Sequence, residues 1–390
     1  MNNVYFVPPA FKGPTGQEDM PYLLTAGPLT TSRSSKIAML SDYGAQNEEF
    51  RSLVAEIRRE LKRLAGGDES HECVLLSGPG AFALEAAFGS FAPAKRKKTL
   101  VIVNGRTGEQ AVAMLATLDR PHVILEKGDG RVATAEDVTA ALDADNDITH
   151  IFVTQCEATS GAVTAIEDLG KIAKDRNKVF MVDAQLSFGA LPLDMAKDEI
   201  DVLISTASGC LEGVPGFSFV LVKRELLIAS EGKCHSVVLD LAAQWRDMES
   251  LNQFRFTPPT HALVAFRQAL RELETEGGIG MRRARYQRNA EELITRMRAM
   301  GFTPLLPDTD AGPIVQCFLC PRDSKFVFTD FAEHLRQRGF EVAPGLLAKR
   351  ASFRIGTIGQ INDKIIKSLA KAVEAVLKEM DVQEFGASEA

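Results

Sequence analysis

A glycine-rich turn between a predicted strand and a predicted helix is the first segment that could bind a ligand. It reads Gly78-Pro79-Gly80 and is followed by Ala81. Free backbone N–H groups and the dipole at the start of a helix attract anions, so this turn could hold a phosphate group. Pro79 has no N–H and removes one donor from such a site. A tight turn with a purely structural role is therefore an equal alternative.

Asp183 follows the apolar run 179–182, which predicts that its carboxylate lies at the carboxyl end of a buried strand. Ligands of open α/β sheets bind at that edge of the sheet. A buried carboxylate there requires a cationic or N–H partner. For this residue taken alone, a helix cap or a turn is the favoured interpretation, and a ligand contact is the alternative.

Arg354 lies inside the apolar segment 352–356, and its planar guanidinium suits bidentate binding of a carboxylate or phosphonate. A structural ion pair is an equal alternative. His261 comes after two prolines and Thr260, and we interpret it as a residue at the start of a helix rather than as an acid or base.

The cysteines do not predict a disulfide framework or a metal site. Cys317 and Cys320 form a C-x-x-C motif, but strand alternation points their side chains to opposite faces. The chain has six cysteines spread over 390 residues, which is unlike small disulfide-rich domains. We therefore expect reduced thiols and no bound metal.

Short apolar runs alternate with helix-period segments through the first two thirds of the chain. This alternation predicts an α/β fold with a mostly parallel sheet covered by helices on both faces. After Pro258 and Pro259 the pattern changes to two long helices and two strands, which predicts a smaller α+β lobe. We assign residues 1–260 to an N-terminal segment and a large domain, 261–380 to a small domain, and 381–390 to a frayed tail. The strands predicted for the large domain are 73–76, 100–103, 123–126, 151–154, 179–182, 202–205 and 217–222.

Composition and charge restrict the class of partner. The formal net charge is -7 and the sequence pI is about 5.6, so no broad positive field favours nucleic acid or an anionic membrane. No window stays apolar over the roughly 20 residues that a membrane span needs, and the N-terminus lacks a basic stretch followed by an apolar core. We expect a cytoplasmic protein that binds a small molecule.

Several segments resemble those of one family, the 2-aminoethylphosphonate:pyruvate transaminases, and occur in the same order along the chain. These proteins are class V aminotransferases. The likeness extends over about 23–376. Segment 23–32 is similar to the family's L-L-T-P-G-P-L-T-T-S, and segment 182–189 is similar to its V-D-A-M-S-S-F-G. Further similar segments are 213–217, 256–261 and 353–356.

The resemblance implies a fold type I homodimer with pyridoxal 5'-phosphate at the subunit interface. It implies transfer of an amino group from 2-aminoethylphosphonate to pyruvate, giving phosphonoacetaldehyde and alanine. Asp183 would pair with the ring nitrogen of the cofactor, and Thr257 would reach the cofactor phosphate across the interface. Arg354 would hold the acid group of the substrate. The remaining cofactor positions implied by the resemblance are Gly80, Ala81 and Thr159.

The sequence departs from the family at the groups that hold and use this cofactor. Gly209 stands where the family's A-N-K-C motif has the lysine that attaches the cofactor and moves the proton. No catalytic residue can therefore be assigned, and ordinary turnover is not expected. Pro79 and Ala81 replace hydroxyl side chains at the phosphate turn. Thr107 replaces the stacking aromatic, and Leu346 replaces the lysine of a P-G-K motif.

Three functional hypotheses follow from these residues. The first is amino transfer, in the family's form or with pyridoxamine phosphate as a dissociable substrate. The second is a non-catalytic homologue that binds a phosphonate, another metabolite or a partner protein. The third is an enzyme without this cofactor, for which Cys210 is the nearest nucleophile, although a buried structural thiol is the preferred interpretation. Lys223 and Lys349 are the lysines considered as substitutes for the missing amine, but the motif directs neither toward the site.

Overall fold

Two β-sheets form the framework of the computed structural model, which describes residues 20–347 and 349–386. The larger sheet has seven strands in the order β2-β8-β7-β6-β5-β3-β4, and β8 runs antiparallel to both neighbours. The other pairings are parallel. All seven strands predicted for the large domain are present. Their bounds are β2 His71–Ser77, β3 Lys98–Val103, β4 His122–Glu126, β5 Ile148–Thr154, β6 Val179–Asp183, β7 Val202–Thr206 and β8 Phe217–Lys223.

Helices cover this sheet because their apolar residues recur at spacings of three and four. In helix α2, Asn47 caps the N-terminus with its side chain, and Phe50, Leu53 and Ile57 are buried on one face. The helices are α1 Arg33–Ala38, α2 Glu48–Leu64, α3 Gly80–Phe91, α4 Arg106–Thr117, α5 Ala135–Ala144, α6 Ile166–Asp175, α7 Arg224–Ala229, α8 Leu241–Leu251, α9 Thr260–Glu276, α10 Gly278–Ala299, α11 Phe328–Gln337 and α12 Asp363–Glu379. His261 lies at the second residue of α9, as predicted.

The smaller sheet has four strands in the order β1-β10-β11-β9. Strand β1 is parallel to β10, and the other two pairings are antiparallel. Phenylalanine rings fill the core beside this sheet, with Phe302 and Phe353 at a centroid distance of 5.4 Å. The bounds are β1 Tyr22–Leu24, β9 Val315–Leu319, β10 Phe340–Pro344 and β11 Ser352–Gly356. A strand from the N-terminal segment therefore belongs to the lobe built from the C-terminal part of the chain.

The C-terminal tail is held in place over part of its length. The backbone N–H groups of Gln383 and Glu384 donate to the Asp323 carboxylate at 2.7 and 3.2 Å. The Phe385 ring packs 5.7 Å from that of Phe302. Polar backbone groups of this segment thus find partners on the small lobe. Residues 387–390 lie outside the described residues, and the frayed tail stays a prediction. Within the described ranges, no helix has both the length and the apolar character of a membrane span.

Candidate functional site

Asp183 ends β6 at the carboxyl edge of the large sheet, as predicted, and is 2% exposed. Among the described residues, Gln185 alone donates hydrogen bonds to its carboxylate. The backbone N–H of Gln185 donates to Oδ1 at 2.9 Å, and the Gln185 Nε2 donates to Oδ2 at 2.7 Å. Burial raises the pKa of Asp183 to about 6, against the lowering effect of these two hydrogen bonds.

The Gln185 side chain also lies against the first turn of α3. A Cβ atom placed on Gly80 would lie 1.6 Å from Gln185 Oε1, so only a glycine allows this approach. Pro79 precedes the helix and makes no side-chain capping bond, and Ala81 supplies no hydroxyl. The structure therefore brings Asp183 and Gly80 together, with the Gln185 carboxamide between them.

Sequence reasoning assigned no role to Gln185. The signal was present in the motif V-D-A-M-S-S-F-G, in which methionine occupies this position. A carboxamide in place of a thioether adds two N–H donors and a strong acceptor beside a buried carboxylate. Glutamine in place of methionine at position 185 therefore supplies the side-chain hydrogen bond to Asp183.

Gly209 lies in the loop between β7 and β8 and is buried against the turn that follows β6. A Cβ atom placed on Gly209 would lie 2.3 Å from the backbone carbonyl oxygen of Gln185. The neighbouring Cys210 Sγ donates to the carbonyl of Leu186 at 2.9 Å. The two segments pack this closely because position 209 has no side chain. A lysine stem at this position has no room in the present fold.

Cys210 does not fit the role of a nucleophile. The residue is fully buried, and burial raises the pKa of its thiol well above the usual value. Lys223, considered as a substitute amine, has its Nζ 2.6 Å from Asp201 Oδ1 in an ion pair.

Buried salt bridges fix the loop that contains Gly209. Glu212 is 2% exposed and accepts hydrogen bonds from Arg285 Nη2 at 2.8 Å and from Gln360 Nε2 at 2.7 Å. Arg282 Nη1 donates to the carbonyl of Cys210 at 3.0 Å. Both arginines belong to α10, so the loop of the large domain is tied to the helix that leads into the small lobe.

A second buried carboxylate, Glu157, accepts hydrogen bonds from two threonines. Its Oε1 accepts from the hydroxyl of Thr159 at 2.8 Å and from that of Thr107 at 3.2 Å. The Thr159 hydroxyl in turn accepts from the backbone N–H of Arg106 at 3.1 Å. Sequence reasoning predicted Thr159 but missed Glu157, since a single acidic residue in a loop carries no periodic signal. Both threonine hydroxyls are engaged in holding the start of α4.

Arg354 is half-buried on β11, and two backbone carbonyl oxygens orient its guanidinium. Nε donates to Pro344 at 3.0 Å, and Nη1 donates to Ala158 at 2.8 Å. Burial lowers the pKa of Arg354. In the part of the chain that the structure describes, no carboxylate forms an ion pair with it. The structural ion pair considered for this residue is thus not found among those residues.

Thr257 and the cysteine pair complete the predicted positions. Thr257 is exposed, and its carbonyl accepts from the hydroxyl of Ser77 at 3.1 Å, beside the glycine-rich turn of the same chain. Its contact across a subunit interface stays a prediction. Cys317 pairs with Arg354 in the β9–β11 register, while Cys320 follows β9 and belongs to the small-lobe core. Among the described residues, no group of side chains is arranged to hold a metal ion.

The sequence profile described as Aminotransferase class-V matches residues 31–351. The chain belongs to the class V aminotransferases. It is 42% identical to a 2-aminoethylphosphonate–pyruvate transaminase of Rhizobium meliloti over 93% of this chain and 94% of that protein. It is 39% identical to the protein of that name from Pseudomonas aeruginosa strain PAO1, over 94% and 99% of the two chains. The predicted family resemblance is confirmed.

Solved aminotransferase structures share the fold of this class V member. An alanine–glyoxylate aminotransferase from Nostoc sp. superposes with a TM-score of 0.86 at 23% identity, covering 97% of both chains. A pyridoxamine–pyruvate aminotransferase from Mesorhizobium loti gives a TM-score of 0.86 at 19% identity, covering 94% of both chains. The predicted fold type I is thereby confirmed.

Family membership supports pyridoxal phosphate as the cofactor by resemblance, but the residues present do not fit that group. Gly209 offers no amine, and the Gln185 carbonyl fills the space that a side chain there would need. Gln185 occupies both oxygens of Asp183 and the approach to Gly80. The cofactor contacts implied for Asp183 and Gly80 would require Gln185 to move, and the Thr159 hydroxyl is already bonded to Glu157.

Proposed function

We propose that this class V aminotransferase homologue is a non-catalytic protein that binds a small acid, an amino phosphonate or a keto acid, through Arg354. The observation that supports this proposal is the half-buried guanidinium of Arg354. It is oriented by two carbonyls and has no ion-pair partner among the described residues. The relatives named above act on 2-aminoethylphosphonate and pyruvate, and each of those compounds carries an acid group.

Arg354 is suited to this role because its orientation is fixed before any ligand binds. Pro344 and Ala158 accept from Nε and Nη1, and no described residue accepts from Nη2, so its N–H groups can donate to an incoming oxygen. Charge-assisted hydrogen bonds from a guanidinium to a carboxylate or phosphonate are about twice as strong as neutral ones. Preorganisation reduces the entropy lost on binding.

Isothermal titration calorimetry of the full chain with 2-aminoethylphosphonate, and separately with pyruvate, tests this function. We expect at least one acid to bind the natural protein. Arg354→Ala should weaken that binding about 10- to 100-fold, since a hydrogen bond to a charged group contributes about 1.5 to 3 kcal/mol. Arg336→Ala is the matched control, because Arg336 is an exposed small-lobe arginine paired with Glu333 on its own helix. Equal binding by Arg354→Ala and the control would contradict the proposal.

Amino transfer is the second candidate, favoured by the 42% identity and by Asp183 at the strand end. The protein is mixed with 2-aminoethylphosphonate, pyruvate and pyridoxal phosphate, and alanine is measured by mass spectrometry. Because the chain lacks the amine at position 209, we expect no alanine above a control without protein. Alanine formed in proportion to the amount of protein would establish transfer and contradict the non-catalytic proposal.

A homodimer is part of the proposal, again by resemblance. Leu251 and Phe256 are 54% and 46% exposed, and Phe256 adjoins Thr257. Burying such apolar side chains against a second copy is favourable. We expect analytical ultracentrifugation to show a dimer that Phe256→Glu weakens. Ile124→Glu, on edge strand β4 with 47% exposure, is the control expected to leave the dimer intact. A natural protein that sediments as a monomer would contradict this part of the proposal.

A further inference from the structure

One side chain of this chain contacts the two places that the family resemblance assigns to the cofactor. The ring nitrogen would pair with Asp183, and the phosphate would lie at the first turn of α3. Gln185 Nε2 donates to Asp183 Oδ2 at 2.7 Å. Gln185 Oε1 lies only 1.6 Å from the position that a Cβ on Gly80 would take. A polar donor therefore faces the carboxylate, and a polar acceptor lies beside the first residue of α3, at the positive end of the helix dipole.

We infer that the Gln185 carboxamide is a built-in substitute for the cofactor, and that it keeps this chain in a cofactor-free form. Its N–H takes the hydrogen bond that a protonated ring nitrogen would make. Its carbonyl oxygen lies beside the helix N-terminus that would take the phosphate. The substitute is intramolecular, so it is present at high effective concentration, and a free ligand must displace it.

The backbone around Gln185 makes this arrangement stable. The Ala184 N–H donates to Ile204 O at 2.8 Å, and the Ser205 hydroxyl donates to Ala184 O at 3.1 Å. On the other side, Cys210 Sγ donates to Leu186 O at 2.9 Å. The turn that carries Gln185 is thus bonded on both flanks, and it cannot shift without breaking these contacts.

Displacing only the side chain is also unfavourable. Asp183 is 2% exposed and, within the part of the chain that the structure describes, would keep only the backbone N–H of Gln185 as a donor. The free energy rises when a buried carboxylate loses a hydrogen bond, because water does not replace the lost donor. Acid binding at Arg354 is separate from this substitution, since that guanidinium is oriented by the carbonyls of Pro344 and Ala158.

Pyridoxamine 5'-phosphate is the appropriate probe. It has the ring nitrogen and the phosphate but no aldehyde, so imines at surface lysines cannot imitate binding. Affinity is measured by calorimetry for the natural protein, Gln185→Ala and Gln185→Met. The first variant removes the carboxamide, and the second keeps its length without a donor. We expect both to bind at least 10-fold more tightly than the natural protein.

A gain in affinity could come from freeing the Asp183 carboxylate or from a general loosening of the site. The double variant Gln185→Ala with Asp183→Asn distinguishes these two causes. It should lose most of the gained affinity, because the ring nitrogen no longer meets a carboxylate. Circular dichroism and urea unfolding establish that each variant is folded, and Gln185→Met carries the test if Gln185→Ala is not. Tight binding by the natural protein would overturn the inference. So would the absence of any gain in a folded variant, or a gain that persists without Asp183.

Discussion

At the scale of single residues, Gly209 and Gln185 are in close contact. The Gln185 carbonyl oxygen lies 2.3 Å from the position that a Cβ on Gly209 would take. Gln185 in turn places its side chain on Asp183. Restoring lysine alone therefore meets a backbone atom, which cannot rotate away as a flexible side chain can. The amine cannot be regained by a single substitution without moving the turn after β6.

Gly209→Ala tests this contact through stability. We expect the free energy of unfolding to fall by about 1 to 3 kcal/mol, the usual effect of forcing atoms into a packed site. Urea unfolding followed by circular dichroism measures the change. Gly44→Ala is the matched control, because a Cβ placed on Gly44 would meet no described residue within 4 Å other than its two chain neighbours. If the two variants unfold at the same urea concentration, the close contact at position 209 is not present in solution.

Asp183 makes stability depend on pH in an identifiable direction. Its pKa of about 6 in the folded protein lies above the ordinary value of 3.8, so the folded state binds the proton more tightly than the unfolded chain. The contribution of Asp183 to the free energy of unfolding should therefore fall as the pH rises from about 4 to about 6, then stay level. Two pKa units correspond to about 3 kcal/mol in total.

Asp183→Asn removes this contribution. The free energy of unfolding of the natural protein, minus that of the variant, should decrease across pH 4 to 6 by up to about 3 kcal/mol. Chemical unfolding at half-unit pH steps measures it, and the subtraction cancels the other titrating groups. A difference that is constant over this range would show that the Asp183 pKa is not raised by burial.

At the scale of elements, the loop between β7 and β8 is positioned by helix α10. Arg285 and Gln360 donate to Glu212, and Arg282 donates to the carbonyl of Cys210. A buried ion pair contributes little net stability when intact, but losing one partner leaves charge uncompensated. The network therefore specifies the path of the loop, and with it the position of Gly209.

Glu212→Gln breaks this network with almost no change in volume. We expect the free energy of unfolding to fall by about 3 kcal/mol, because Arg285 loses one of its carboxylate partners in a buried site. Glu374→Gln is the control, since Glu374 forms an exposed pair with Lys378 within α12 and should contribute at most about 0.5 kcal/mol. Thermal and urea unfolding compare the two variants. Equal effects would mean that the Glu212 pairs are as weak as surface pairs.

At the scale of the whole molecule, the N-terminal segment forms part of the small lobe as well as leading into the large domain. Strand β1 pairs with β10, so the N-terminal segment completes a sheet made otherwise from residues after 314. Leu24 on β1 is fully buried in the small-lobe core. The small lobe therefore depends on residues that precede the large domain in sequence.

Leu24→Ala tests this connection. Removing a fully buried leucine side chain should lower the free energy of unfolding by about 2 to 5 kcal/mol. Hydrogen exchange should show increased opening in β9, β10 and β11 before the large sheet. Leu40→Ala is the control, because Leu40 is 82% exposed and its loss should change stability by less than about 0.5 kcal/mol. Unchanged exchange in the small sheet would contradict the role assigned to β1.

The sequence by itself determined the fold class, the strands of the large sheet and the place of Asp183. These depend on local signals, since apolar runs mark buried strands and the residue after such a run lies at the sheet edge. The motifs that carry the family resemblance are also contiguous. The missing amine at position 209 was equally visible, because it needs only the identity of one residue.

Only the tertiary structure decided what replaces the missing groups. The contacts of Gln185 with Asp183, Gly80 and Gly209 join three segments, and two of those contacts connect parts of the chain that are far apart in sequence. The network around Glu157, the pairing of β1 and the absence of an ion pair between Arg354 and any described carboxylate are decided in the same way. Such contacts depend on how strands and loops are arranged in space, and periodicity along the chain does not encode that arrangement.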